Sequence, residues 1–189
     1  MNEALFAPCT PGLERALTDE VRELGFISRE VSGGCEFEGP AGAYERANLQ
    51  LRLATRVWLR IAQVRQAGEL QNFAWAPWVP ETAQLRVEAT GLGADAFKRA
   101  LVSRAPRGAS GGPAVGVLVR VESGQATVSL ETSGEPLYQR GARQEIGRAP
   151  MRETLAAGML RLAGYRGLEP LHDVMCGSGT LPHRKKPTW

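Results

Sequence analysis

The run Leu171-His172-Asp173-Val174-Met175-Cys176-Gly177-Ser178-Gly179-Thr180 holds the residue types and spacing best suited to chemistry in this chain. An extended apolar segment ends on an acid, and two glycines follow where a β-carbon would keep a ligand away. Thr180 is placed to open a helix. A strand-to-glycine loop of this kind cradles the polar part of a small nucleotide-like cofactor, which makes Asp173, Cys176, Gly177, Ser178, Gly179 and Thr180 the candidate cofactor-binding residues. The loop has neither the lysine of a phosphate loop nor the third glycine of the dinucleotide fingerprint, so an ATP- or dinucleotide-binding protein is disfavoured. His172 and Cys176 lie four apart, which is no chelating geometry on an extended segment. The three cysteines, Cys9, Cys35 and Cys176, are far apart and odd in number, which predicts reduced thiols and no metal.

A second constellation lies just upstream, where Arg140, Arg143, Arg148 and Arg152 crowd together before a helical pattern. Residues 1–60 carry 7 basic and 9 acidic groups, 61–135 carry 7 and 7, and 136–189 carry 9 and 4, so the net +3 hides a basic last third. Two readings stand for these arginines. One is a solvated face with helix salt bridges. The other is a phosphate-contact region, whose binding would weaken as salt is added.

The elements that must position these residues follow from periodicity and turn chemistry. Residues 3–8 read as a strand, Thr10-Pro11 as the start of a helix with Leu13, Leu17, Val21 and Leu24 on one face, and Gly25 as its stop. Strands at 27–31 and 35–38 joined through Ser32-Gly33-Gly34, a helix over 41–53 and a strand at 56–64 complete a β-α-β-β-α-β order, that of a ferredoxin-like unit. The middle reads as a second α+β unit. It has a helix near 70–76, a strand at 84–90, a helix near 95–104 and a hairpin of strands 116–122 and 126–131, with a flexible loop at 107–113. A helix from Pro150 to Gly164, with Leu155, Met159 and Leu162 as its apolar face, then leads to a strand at 171–175.

With Asp173 through Thr180, this helix resembles the S-adenosylmethionine-dependent RNA methyltransferases that carry a THUMP domain and act on guanine N2 in 23S ribosomal or transfer RNA. The stretches Tyr44–Leu49, Arg56–Arg60 and Gly134–Gly141 are similar to the same family, and the resemblance runs to about Leu181. It implies an α+β chain with a ferredoxin-like unit at 1–60, a THUMP RNA-binding domain at 61–136, and the start of a Rossmann-like α/β methyltransferase domain at 137–189. It further implies S-adenosyl-L-methionine at an incomplete site, RNA as partner through Arg140, Arg143, Arg148 and Arg152, and no DNA.

The family's N/D-P-P-Y/F motif, which accepts hydrogen bonds from the target amine and stacks on the flipped base, is not found in these residues. The expectation is therefore an N-terminal fragment that binds RNA without turnover on its own. The alternatives are a stand-alone RNA-binding module, or one half of a split enzyme whose second chain supplies the rest. The tail Leu181–Trp189 reads as a frame error, an early stop or a basic RNA-binding tip. No apolar run reaches the roughly 20 residues of a membrane span and no signal peptide opens the chain, so the expected location is the cytoplasm.

Overall fold

The computed structural model describes residues 2–103, 105–106, 108–140, 151–177 and 179–183. In chain order the elements are β1 (Glu3–Pro8), α1 (Glu14–Glu23), β2 (Ile27–Val31), β3 (Gly34–Gly39), α2 (Ala43–Gln50), β4 (Trp58–Val64), the 3-10 helix η1 (Ala67–Asn72), β5 (Gln84–Thr90), α3 (Ala94–Val102), β6 (Ala114–Glu122), β7 (Gln125–Glu131), the 3-10 helix η2 (Leu137–Arg140), α4 (Glu153–Leu162) and α5 (Thr180–His183). They divide into two units. One is built from Met1–Val57 together with Glu135–Trp189, the other from Trp58–Gly134.

In the first unit β3 lies between β2 and β1, antiparallel to both. Leu17 and Val21 of α1 are fully buried with Leu5 of β1 and Cys35 and Phe37 of β3. The rings of Phe26 and Phe37 pack at 5.5 Å. The helix does not start at Thr10-Pro11 as the sequence suggested. Gly12 takes φ +90°, and Leu13 N–H closes a turn onto the Thr10 carbonyl at 3.1 Å, so helical geometry begins only at Glu14. At the other end Gly25 N–H donates to Arg22 O and Phe26 N–H to Val21 O, the paired bonds that close a helix.

Helix α2 is shorter than the predicted 41–53, and a carboxylate from elsewhere explains each end. Glu3 of β1 accepts from Gly42 N–H and Tyr44 N–H, both at 3.0 Å, satisfying donors at the helix start. Past its end, Glu20 of α1 accepts from Arg52 N–H at 3.0 Å and Leu53 N–H at 3.1 Å, drawing the chain out of the helix after Gln50. Burial pushes the Glu20 carboxyl up, while those two N–H groups and the charge of Arg161 pull it back.

In the second unit the strands run β4-β7-β6-β5. β6 and β7 form a hairpin turning through Ser123-Gly124, β4 pairs antiparallel to β7, and β5 lies parallel to β6 with α3 as the crossover. Leu101 of α3 is buried with Leu70, Trp75, Val117, Val119 and Val128. The helix predicted near 70–76 is instead the 3-10 turn at Ala67–Asn72. Its start is held by Glu69, which accepts from Arg65 N–H and Gln66 N–H, and Phe73 is already extended. Pro77 disfavours helical geometry for Ala76, so the pattern cannot continue.

Helix α4 belongs to the first unit and corrects two expectations. It begins at Glu153 with Arg152 extended at its N-cap, and its buried face is Ala156, Gly158 and Leu160; Met159 is 44% and Leu162 65% exposed. Close approach decides this face. A β-carbon on Gly158 would lie 2.4 Å from Cδ1 of Leu13, so the missing side chain is what lets α4 sit against that residue. Arg161 adds a two-pronged ion pair to Glu23, at 3.0 and 2.6 Å. Because Glu23 is largely exposed, Arg161→Ala is expected to cost only about 0.2–1 kcal/mol, and less at high salt; urea unfolding at two ionic strengths measures this.

Candidate functional site

The loop that follows α4 does not contain the predicted strand at 171–175. Those residues form coil and a turn, with Val174 96% and Met175 88% exposed. A strand exists only where a neighbour completes its ladder, and among the described residues none runs beside this segment. Asp173 turns the chain instead: its Oδ1 accepts from Met175 N–H at 3.1 Å. Gly179 N–H then donates to Cys176 O at 2.7 Å, closing a tight turn. Gly177 and Gly179 take φ +52° and +73°. A β-carbon on Gly179 would meet nothing within 4 Å and one on Gly177 only a carbonyl at 4.0 Å, so the face these glycines present is open.

Thr180 is buried and opens α5. Cys176 is an exposed free thiol, whereas Cys9 and Cys35 are buried and free. Burial pushes the Cys9 thiol up to about 12, which keeps it protonated and unreactive. Ser178 lies outside the described residues. Asp173, Cys176, Gly177, Gly179 and Thr180 are thus brought into one short loop carrying an acid and an open backbone face.

The arginine constellation is less fully visible. Arg143, Arg148 and the side chain of Arg140 lie outside the described residues. Arg152 is exposed at the start of α4, and its guanidinium sits over the Tyr138 ring at 5.7 Å from the centroid, a cation–π contact tying η2 to α4. Such stacking leaves the edge of the guanidinium available to a phosphate. The pairing joins residues fourteen apart and left no signal in the periodicity. Also missed was Glu20, whose partners at Arg52 and Leu53 come from a distant segment. Among the described residues no group of three or more His, Cys, Asp and Glu could hold a metal, and no helix is long and apolar enough to cross a membrane.

Residues 4–62 match the RlmL ferredoxin-like domain, and residues 140–182 match the RMKL-like methyltransferase domain. The chain is 34% identical over 199 residues to the ribosomal RNA large subunit methyltransferase K/L of Aeromonas salmonicida, an alignment covering 93% of this chain and 28% of that protein. It is 35% identical over 203 residues to the protein of the same name from Marinobacter nauticus, again covering 93% and 28%. The chain therefore spans 28% of the length of these relatives. Among solved structures, a predicted N6-adenine-specific DNA methylase from Listeria monocytogenes superposes with a TM-score of 0.82 at 28% identity, covering 96% of this chain and 54% of that one. SMU.472 complexed with SAH gives 0.77 at 26% identity, covering 95% and 54%.

Proposed function

We propose, from its matches to the RlmL ferredoxin-like domain and the RMKL-like methyltransferase domain, that this chain is the RNA-gripping arm and cofactor loop of an enzyme methylating guanine N2 in ribosomal RNA. The reading takes residues 1–60 as the ferredoxin-like unit, 61–136 as a THUMP domain and 137–189 as the opening of the methyltransferase domain. The observation that carries it is the loop at 173–180, which lies wholly within the methyltransferase match and has its two glycines in the conformation that leaves backbone open to a ligand. This open face, with the Asp173 carboxylate at its entry, fits the polar end of S-adenosyl-L-methionine. When bound, that cofactor supplies the methyl group.

What these residues contribute is binding. The backbone of Gly177 and Gly179 approaches the cofactor, Thr180 anchors the loop by its burial, and Asp173 holds the turn. Exposed Val174 and Met175 are the kind of surface that further strands of a parallel sheet would cover, which agrees with relatives much longer than this chain. Catalysis then needs groups beyond the loop, since the N/D-P-P-Y/F motif is absent from these 189 residues.

Fluorescence anisotropy with a labelled transcript of large-subunit ribosomal RNA, against a DNA duplex of the same sequence, tests the reading. Binding to RNA should be the tighter of the two and fall steeply between about 50 and 200 mM salt. Equal or tighter binding to the DNA would sink it.

A further inference from the structure

The second unit carries an open cleft of about 520 Å³ between η1 and α3. On α3 the lining residues are Ala96, Arg99, Ala100 and Ser103, spaced three and four apart and so on one face of the helix. Leu101 and Ala94 are turned into the core instead. Ala67, Ala96 and Ala100 are too small to fill the space, while Gln71 and Asn72 of η1 bring two amides to the opposite wall. The volume lies within the roughly 300–1,000 Å³ of ligand sites.

The polar groups here are one-sided. Among the described residues Arg99, Gln71, Asn72 and Ser103 line the cleft and no carboxylate does. The acid of η1, Glu69, is occupied by the N–H groups of Arg65 and Gln66. Among the described residues the exposed Arg99 guanidinium has neither an ion pair nor a side-chain hydrogen bond. A planar, permanently charged fork with no carboxylate beside it suits a phosphate, and primary amides suit the donor and acceptor edges of a base. A surface arginine kept only for solubility would not need a cleft or two facing amides.

We infer that this cleft receives one nucleotide of an unpaired RNA segment, its phosphate on Arg99 and its base edge against Gln71 and Asn72. This rests on the reading of the chain as an RNA-binding arm and gives that arm a contact outside the arginines at 140–152. Unpaired segments are the natural ligand, because only a splayed base offers its edge to a cleft.

The test is anisotropy on the full chain with the labelled ribosomal RNA transcript, comparing wild type with Arg99→Gln, Arg99→Lys and Gln71→Ala/Asn72→Ala. Arg99→Gln should weaken binding several-fold at low salt and lower the salt slope by about one, as for loss of a single phosphate contact. Arg99→Lys should restore the slope while recovering only part of the affinity, because it keeps the charge and loses the fork. The double amide variant should weaken binding and leave the slope as it was. Thermal melting of every variant should match wild type, since the residues are exposed. If wild type binds RNA and Arg99→Gln binds equally well with the same slope, the cleft is not the site and the arm reading stands. If wild type itself binds no RNA, both fall together.

Discussion

Glu20→Ala should remove about 2–4 kcal/mol of stability, because two backbone N–H groups, those of Arg52 and the buried Leu53, would lose the carboxylate they donate to. The effect reaches past the local bonds. Leu51, Leu53 and Ala54 are essentially inaccessible, and the isolated bridge between Cys9 and Ala54 holds this segment beside the end of β1. Glu20→Gln removes the titrating charge and keeps one of the two acceptor oxygens, so the dependence of its stability gap on pH, not the gap itself, reports on the charge. Burial raises the carboxyl above its ordinary 4.5, so the folded state holds the proton more tightly than the unfolded chain. The stability contributed by that protonation is complete below about pH 4.5 and disappears as pH rises through the folded value. Wild type should therefore lose ground to Glu20→Gln between pH 4 and pH 7 in urea unfolding. A gap that moves the other way would mean that hydrogen bonding outweighs burial at this carboxylate.

Gly158→Val should cost about 2–3 kcal/mol and release α4 before the rest of its unit. The new side chain would need the space now held by Leu13, itself only 3% exposed and fixed between the start of α1 and the helix above it. Valine is the better helix former, so the intrinsic preference of α4 works slightly against the predicted loss and cannot be its cause. Hydrogen exchange at 153–162 should quicken while α1 stays protected. Leu13→Ala in the same chain should recover part of the stability by making room, although alone it destabilises by leaving a cavity. If the two losses simply add, α4 is not seated through this contact.

Local chemistry was legible in the sequence wherever it was sufficient. β1, β2 and β5 lie at the residues their patterns indicated, because alternation together with flanking Gly, Pro or Thr settles a strand locally. Gly177 and Gly179, singled out in the sequence because a β-carbon there would keep a ligand away, take positive φ values that other residues avoid. Elements whose form depends on distant partners were not legible. Met159 and Leu162 have the right spacing and the right apolarity for a core face, but Gly158 permits the closer approach, and the helix turns that side inward. The segment 171–175 has the composition of a central strand and no strand beside it among the described residues. The helix expected at 70–76 was stopped by Pro77 and by a carboxylate cap at its start. The stack of Arg152 on Tyr138 required folding of the intervening chain before any pattern could register it.

The unit that carries α4 and the glycine loop is discontinuous in sequence: it leaves at Val57 and resumes at Glu135. In the intervening unit β4 pairs with β7 so that Trp58 faces Glu131, which brings the two ends of the excursion side by side. The returning chain is caught at once by Leu137 N–H on the Thr55 carbonyl at 2.8 Å. Without that pairing, rejoining would mean closing a loop of about 77 residues, at an entropic cost of about 4 kcal/mol by the logarithmic rule. The ribosome releases α4 only after this excursion has emerged, so the order of synthesis lets the clasp form first. A lesion in the β4–β7 pairing would then be inherited as a late-assembly defect of the cofactor loop, at a distance and without touching any residue of it.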